Sequence, residues 1–486
     1  MYYYIKNIFE DKPIKTEIKM KKKLSSLALM IAASMLFAAV AVAFSGCANQ
    51  EATYEFDGKT IYFAGEEFDS ENTKVKKVNS KGKVLKEFTL KAEDVSGFST
   101  ESAKGNKVMT FTVDGVEQNV TYFVCAEPVS LADLKSSNVS GSDAVVYRDI
   151  MYGTRVMPEG STAFAKNSDS NQDFDVYLPT TLDKLDPNTP VFLAVHGGGW
   201  MSGNKTTGDM SLICKMLAKN GYVVFAMNYI LATLGKDTPS FNMMVSDIGS
   251  MVAHMKLFFE KNGLTSEKIA IGGISAGGHL STLYAYKHGA TSPLKIAFEL
   301  DIVGPTQIAD IGYKKTLEQF IYKYDKDCTQ PKVLVDLAHN LIPDLVYGIG
   351  EIENGSVPEI ELIRKGQLTR DVDLTSLWEL VDTVSPITYV TENSCPTIMA
   401  YGQTDNSALK FLNFEVNLFP EDVVTDTMVP TTCFYNLKEK FDSLGVPNVG
   451  KIFKGYRHEE VASVEGKESL DWILTQFNAY AELYLK

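Results

Sequence analysis

A chain of 486 residues exceeds what one hydrophobic core ordinarily organises, so a leader and two folded units are expected. Hydrophobic residues make up 45% and charged residues 22%, the balance of a soluble globular protein. The formal net charge is −14, and because residues 1–46 are themselves basic, the remainder is more acidic still. A surface of that sign repels phosphate backbones, which argues against a nucleic-acid partner and fits solubility outside the cell.

The N-terminus reads as an address. Lys21, Lys22 and Lys23 precede an apolar stretch from Leu24 to Phe44, which closes with Phe44-Ser45-Gly46-Cys47. This resembles a bacterial lipoprotein signal, which implies removal of residues 1–46 and acylation of Cys47; Phe44 departs from the usual leucine. The alternative is an uncleaved membrane anchor, since the apolar stretch is about long enough to span a bilayer. Either reading places the rest of the chain outside the cytoplasmic membrane, held there by a lipid anchor or released. Met20 directly precedes the lysines, so a start at that codon is also expected. Of six cysteines, five remain if Cys47 carries lipid, and none forms a C-x-x-C pair. That argues against a disulfide framework and against a zinc site.

Residues 51–128 alternate apolar and polar positions at Tyr54/Phe56, Ile61/Phe63 and Met109/Phe111/Val113, with Asp57-Gly58, Lys81-Gly82 and Asp114-Gly115 as turns. The pattern predicts a small all-β sandwich, and Asp94-Val95-Ser96-Gly97-Phe98 with the following Lys107–Thr112 resembles a bacterial Ig-like module, read as a spacer. Ser-rich residues 129–144 are expected to be a linker. From 145 to 486 the rhythm changes. Apolar runs at Val191–Val195, Tyr222–Met227 and Ile269–Ile274 alternate with helical segments near Met210–Lys219, Met244–Lys261 and Ala276–Lys287. That is the signature of an α/β fold with a doubly wound, mostly parallel sheet. Residues 306–384 lack a strand and carry amphipathic stretches at Thr316–Tyr324, Val333–Val346, Glu359–Arg364 and Leu374–Val381, so a helical cap is expected there.

Gly273-Ile274-Ser275-Ala276-Gly277 follows an apolar run and opens a helix. A serine on so sharp a strand-to-helix turn needs small neighbours two residues either side, and the turn presents its hydroxyl as a nucleophile. Val191–Val195 ends in His196-Gly197-Gly198-Gly199-Trp200, whose glycines let amides turn toward a developing oxyanion. Gly198 and Gly199 are the expected donors, with Ala276 as the third. A general base must be a histidine here; of six, His339 and His458 lie beyond the serine's helix. His458 follows the run Ile452-Phe453 and precedes a last helix, whereas His339 falls in the cap. For the acid, Asp405 stands at the end of the run Pro396–Gln403; Asp382 is the alternative, with no strand delivering it.

With these residues in hand, the segment from Tyr177 onward resembles the α/β-hydrolase carboxylesterases, most of all the bacterial feruloyl- and acetyl-esterase group related to hormone-sensitive lipase. Asp175-Val176-Tyr177-Leu178-Pro179, His196–Trp200, Asn228-Tyr229, Ser275–Leu280, Ser385-Pro386, Asp405 and His458 carry the resemblance. Departures are Ile230 where an arginine is usual, Tyr401 where a histidine is usual, and Asn406-Ser407-Ala408 without the common Val-Pro. The resemblance implies hydrolysis of small-molecule or glycan-linked esters through an acyl-enzyme, with no metal or organic cofactor. Trp200 and Tyr229 either line the pocket mouth or are packing residues. A peptidase or amidase of the same fold is the nearest alternative. A non-catalytic surface binding protein is the alternative of another class.

Overall fold

The computed structural model describes residues 52–102, 105–156, 170–232, 239–315, 359, 362, 367, 371–405, 408–411, 414–417, 419 and 423–486, with backbone alone for 208 and 408–417. The leader with Cys47, the first two expected cap helices, most of the third and His339 lie outside the described residues. By compactness the chain divides into a small unit, Met1–Tyr54 with Lys77–Lys86, and a large unit, Glu55–Lys76 with Glu87–Lys486. In the small unit, the Asn79 side chain accepts the amides of Lys81 and Lys83 around a turn completed by Gly82 at φ +73°.

The N-terminal strands are β1 (Thr53–Asp57), β2 (Ile61–Phe63), β3 (Lys74–Val78), β4 (Val84–Thr89), β5 (Lys107–Val113) and β6 (Val116–Cys125). They form two three-stranded sheets, β1-β3-β4 and β2-β6-β5. Tyr62, Met109, Tyr122 and Val124 make a small core, and the Phe98 ring packs on both tyrosines.

The rest follows in chain order: β7 (Ser137–Asn138), β8 (Val145–Met151), β9 (Asp173–Leu178), β10 (Val191–Val195), α1 (Gly208–Lys219), β11 (Val223–Met227), α2 (Phe241–Asn262), β12 (Lys268–Ile274), α3 (Ala276–Lys287) and β13 (Lys295–Ile302). Then come α4 (Thr375–Asp382), β14 (Thr397–Gln403), β15 (Ala408–Phe411), β16 (Phe414–Asn417), α5 (Thr431–Leu444), β17 (Asn448–Lys454) and α6 (Lys467–Tyr484). Nine strands make one sheet in the order β17-β14-β13-β12-β10-β11-β9-β8-β7. The six from β17 to β11 run parallel, and β9, β8 and β7 continue antiparallel.

Side-chain alternation explains the layers. Val191, Leu193 and Val195 of β10 enter a core built with α2 and α3, while Phe192 and Ala194 enter a second core with α1 and α6. Two buried faces need apolar residues at every strand position, and β10 and β11 are buried throughout. Local chemistry sets the helix limits as well. The Ser240 hydroxyl accepts the Met243 amide at 3.2 Å to start α2, and Gly263 ends it at φ +74°. The chain leaves β10 toward β11 on one side, then returns to lay β12, β13, β14 and β17 on the other. This is the α/β-hydrolase architecture, and the reversal opens a crevice at the carboxyl ends of β10 and β12.

The expected linker is corrected. Within 129–144, Leu131 is buried in the main core, its amide donates to Asn262 at 2.7 Å, and β7 forms the edge of the large sheet. Serine-rich composition marked a surface strand, which is equally polar. Just before it, the Ser250 hydroxyl donates to the Val124 carbonyl at 2.9 Å, and His254 Nδ1 lies 2.9 Å from the Ala126 carbonyl. The end of β6 thus docks on α2 through buried polar groups.

Candidate active site

Strain marks the site before any chemistry is invoked. Among the described residues seven non-glycines have positive φ, and three of them (Asn106, Asp114, Asp149) are of the types that tolerate it. The other four are Trp200 at +61°, Ser275 at +57°, Val303 at +49° and Thr427 at +102°. Trp200, Ser275 and Val303 follow the carboxyl ends of β10, β12 and β13, and Thr427 follows Asp426. Strain of this kind persists only where surrounding structure enforces it.

Ser275 stands between β12 and α3 with ψ −122°, its amide donating to the Ile302 carbonyl at 2.8 Å. The flanking glycines are steric necessities. A Cβ on Gly277 would lie 2.1 Å from the Val195 carbonyl oxygen, and one on Gly273 would lie 2.3 Å from Gly277. The loop after β10 closes on itself: the Gly198 carbonyl accepts the Ser202 amide at 3.0 Å and its hydroxyl at 2.8 Å. The amides of Gly198, Gly199 and Ala276 make no hydrogen bond among the described residues. Gly197 closes the distance between the loop and Ser275, since its Cβ would fall 3.2 Å from that of Ser275.

His458 is buried after β17, and its Nδ1 lies 2.9 Å from Asp426 Oδ2. The Asp426 carbonyl also accepts the His458 amide at 2.7 Å. The other ring nitrogen, Nε2, is buried with no partner among the described residues. Burial opposes protonation of this ring, but the carboxylates of Asp426, Glu459 and Asp209 outweigh it and raise its pKa above the ordinary value. Asp209, in the first turn of α1, is itself raised by partial burial and held down by His458.

The acid expected from sequence is therefore corrected. Asp405 is exposed, and the carboxylate on the imidazole is Asp426. The chain leaves the sheet at Thr404, runs through the β15–β16 hairpin, and returns at Thr425, whose carbonyl accepts the Thr404 amide at 3.0 Å. Asp426 lies 21 positions beyond Asp405, where the chain has returned to the same strand end. Asp426 Oδ1 then accepts the amides of Met428 at 2.9 Å and Val429 at 2.7 Å, which fixes the carboxylate. A signal was present: Val429-Pro430 follows Asp426, the pair that Asp405 lacks. Asp382 ends α4, where its charged neighbours are Lys314 and Glu379.

Of the two aromatics, Tyr229 is a packing residue, and Trp200 keeps a partly exposed face. Tyr229 is fully buried, stacked on His196 at 4.4 Å between ring centroids, with its hydroxyl donating to the His196 carbonyl. Trp200 is half-buried against Phe241 and His279. Both brace the glycine loop from below. The other motifs converge on the same loop: buried Lys205 pairs with Asp173 at 3.0 Å and Asp149 at 2.8 Å, and Asn228 accepts the Lys205 amide at 2.6 Å. Ile230 leaves no arginine beside the tyrosine, but Arg155 brings a guanidinium to Asp247, which also accepts the Ile230 amide at 2.7 Å. Tyr401 turns inward, its hydroxyl donating to Asp301.

Comparison with known proteins bears on the same segment. The model of the BD-FAE family matches residues 174–409, a span that contains the glycine loop and Ser275. The probable carboxylic ester hydrolase LipM of Mycobacterium tuberculosis is 30% identical over 142 residues, covering 29% of this chain and 30% of that protein. Esterase LipC of the same organism is 24% identical over 220 residues, 44% of each chain. The chain thus spans under half the length of either relative. Among solved structures, inhibited esterase B from Lactobacillus rhamnosis is similar at 16% identity and a TM-score of 0.44, covering 72% of this chain and 90% of that one.

Proposed function

We propose that the protein is a serine carboxylesterase. The carrying observation is His458: a buried imidazole with Nδ1 on a fixed carboxylate, Nε2 bare, and its pKa raised by surrounding carboxylates. In this reading Nε2 takes the proton of Ser275 as its hydroxyl attacks an ester carbonyl, and Asp426 stabilises the resulting imidazolium. The amides of Gly198, Gly199 and Ala276 receive the oxyanion, and each such donor is worth about 3–4 kcal/mol of barrier. The imidazolium returns its proton to the leaving alcohol, and water then resolves the acyl-enzyme with His458 again as base. The chemistry asks for no metal or organic cofactor. The names of the relatives that match this segment support an ester as the substrate.

The leader, with Cys47 as the acylated residue, supports a membrane-anchored, extracytoplasmic enzyme, and that placement favours small or glycan-linked esters as substrates. Hydrolysis of p-nitrophenyl acetate by residues 48–486, together with labelling by an alkyl phosphonate, tests the activity. Turnover, with the phosphonate mapped by mass spectrometry to Ser275, is expected. Labelling at another residue, or neither turnover nor labelling, would contradict it.

A further inference from the structure

His279 lies one helical turn beyond Ser275, and its amide donates to the Ser275 carbonyl at 3.0 Å. Its side chain is fully buried and both ring nitrogens are engaged. Trp200 Nε1 lies 3.2 Å from Nδ1, and Nε2 lies 2.8 Å from the Val384 carbonyl. An indole N–H only donates and a carbonyl only accepts, so Nδ1 is the acceptor and the ring's one proton sits on Nε2. Burial pushes the pKa down to about 4, which holds the ring neutral in this tautomer around pH 7.

Trp200 directly follows Gly198 and Gly199, and its backbone is strained at φ +61°. Three contacts hold it there: the Ala232 amide on its carbonyl at 2.8 Å, the Phe241 ring at 5.0 Å, and the His279 hydrogen bond. Of these, only the last comes from the helix that carries Ser275. It is a direct side-chain link between the nucleophile's helix and the glycine loop.

We propose that His279 is a positioning residue, which holds Trp200 in its strained conformation and thereby aligns the Gly198 and Gly199 amides with Ser275. The proposal rests on the esterase reading of Ser275. A histidine that merely fills the core would contribute to stability without distinguishing its two nitrogens.

Two amides separate them. In H279N the side-chain oxygen stands where Nδ1 stands and keeps the acceptor for Trp200. In H279Q the side-chain nitrogen stands where Nε2 stands and keeps only the donor to Val384. Kinetics on p-nitrophenyl acetate give one readout. The indole ¹⁵N–¹H resonances of the three tryptophans, with Trp200 assigned from W200F, give a second that needs no catalysis.

H279Q and W200F are each expected to lower kcat about ten- to a hundredfold with little change in KM, the scale of a small misplacement of catalytic groups. The double variant should be no worse than either alone, since both break one contact. H279N should recover kcat to within about threefold of wild type, and the Trp200 indole resonance should move in H279Q but not in H279N. Equal impairment of H279N and H279Q, or an unimpaired H279Q, would overturn the proposal. Should both histidine variants unfold by circular dichroism, W200F decides, and an unchanged kcat would overturn it. If wild type shows no turnover, the esterase reading fails by itself; the tether then stands or falls on whether H279Q moves the indole resonance.

Discussion

The nucleophile turn and the acid loop solve one problem in opposite ways. Both use a residue forced to positive φ, Ser275 itself at the turn and Thr427 next to Asp426 in the loop. At the nucleophile turn everything needed lies within five residues: the strand before, two glycines that a Cβ would ruin, and the helix after. The acid loop instead leaves the sheet at Thr404 and is closed by a backbone bond to Thr425, 21 positions later. Short-range sterics specify the first site. The second depends on where a distant segment returns, and then on side-chain hydrogen bonds from Asp426 to two amides.

That contrast can be broken at either end. The largest expected effect is at the nucleophile: S275A should lower ester turnover at least about ten-thousandfold. Its melting temperature should stay close to wild type, because the hydroxyl is not part of the core. Next is G277A, whose new Cβ would meet the Val195 carbonyl at 2.1 Å. Overpacking on that scale should cost about 3 kcal/mol in denaturant unfolding. D405A, on the exposed part of the acid loop, should change stability by less than about 0.5 kcal/mol. An unshifted midpoint for G277A would show that the turn is less tightly built than these contacts imply.

The smallest effect sharpens the acid's role. A base acts only while neutral, and the carboxylates around His458 favour its charged form. The rate should therefore fall as pH drops through a midpoint above the ordinary histidine value of about 6.5. In D426N the largest stabilising anion is gone, and the midpoint of the residual activity should move down. A midpoint that stays put would mean that Asp426 does not face the base electrostatically.

The same contrast explains what was legible in the sequence. β10, β12, α2 and α3 lie within a few residues of their expected limits, because two-faced burial and capping residues are local properties. Ser275, His458 and the glycine loop follow strands that periodicity alone reveals. Asp405 is misleading because Thr404-Asp405 and Thr425-Asp426 are the same dipeptide at the two ends of one loop. Only the Val429-Pro430 pair distinguishes them. Between pocket lining and packing for Tyr229 the sequence does not decide, because which side of a loop an aromatic ring supports is a matter of tertiary packing, invisible to composition. The Ser-rich linker failed likewise, since an edge strand and a tether are both polar.

In the proposed triad Asp426, not Asp405, is the carboxylate that orients His458. This assignment is tested most directly by measuring kcat on p-nitrophenyl acetate for D405N and D426N side by side. D426N keeps the shape but presents the imidazole with an amide, and a loss of about a thousand- to ten-thousandfold is expected. D405N should remain within about threefold of wild type. A large loss in D405N with D426N near wild type would contradict the account and return the acid to Asp405.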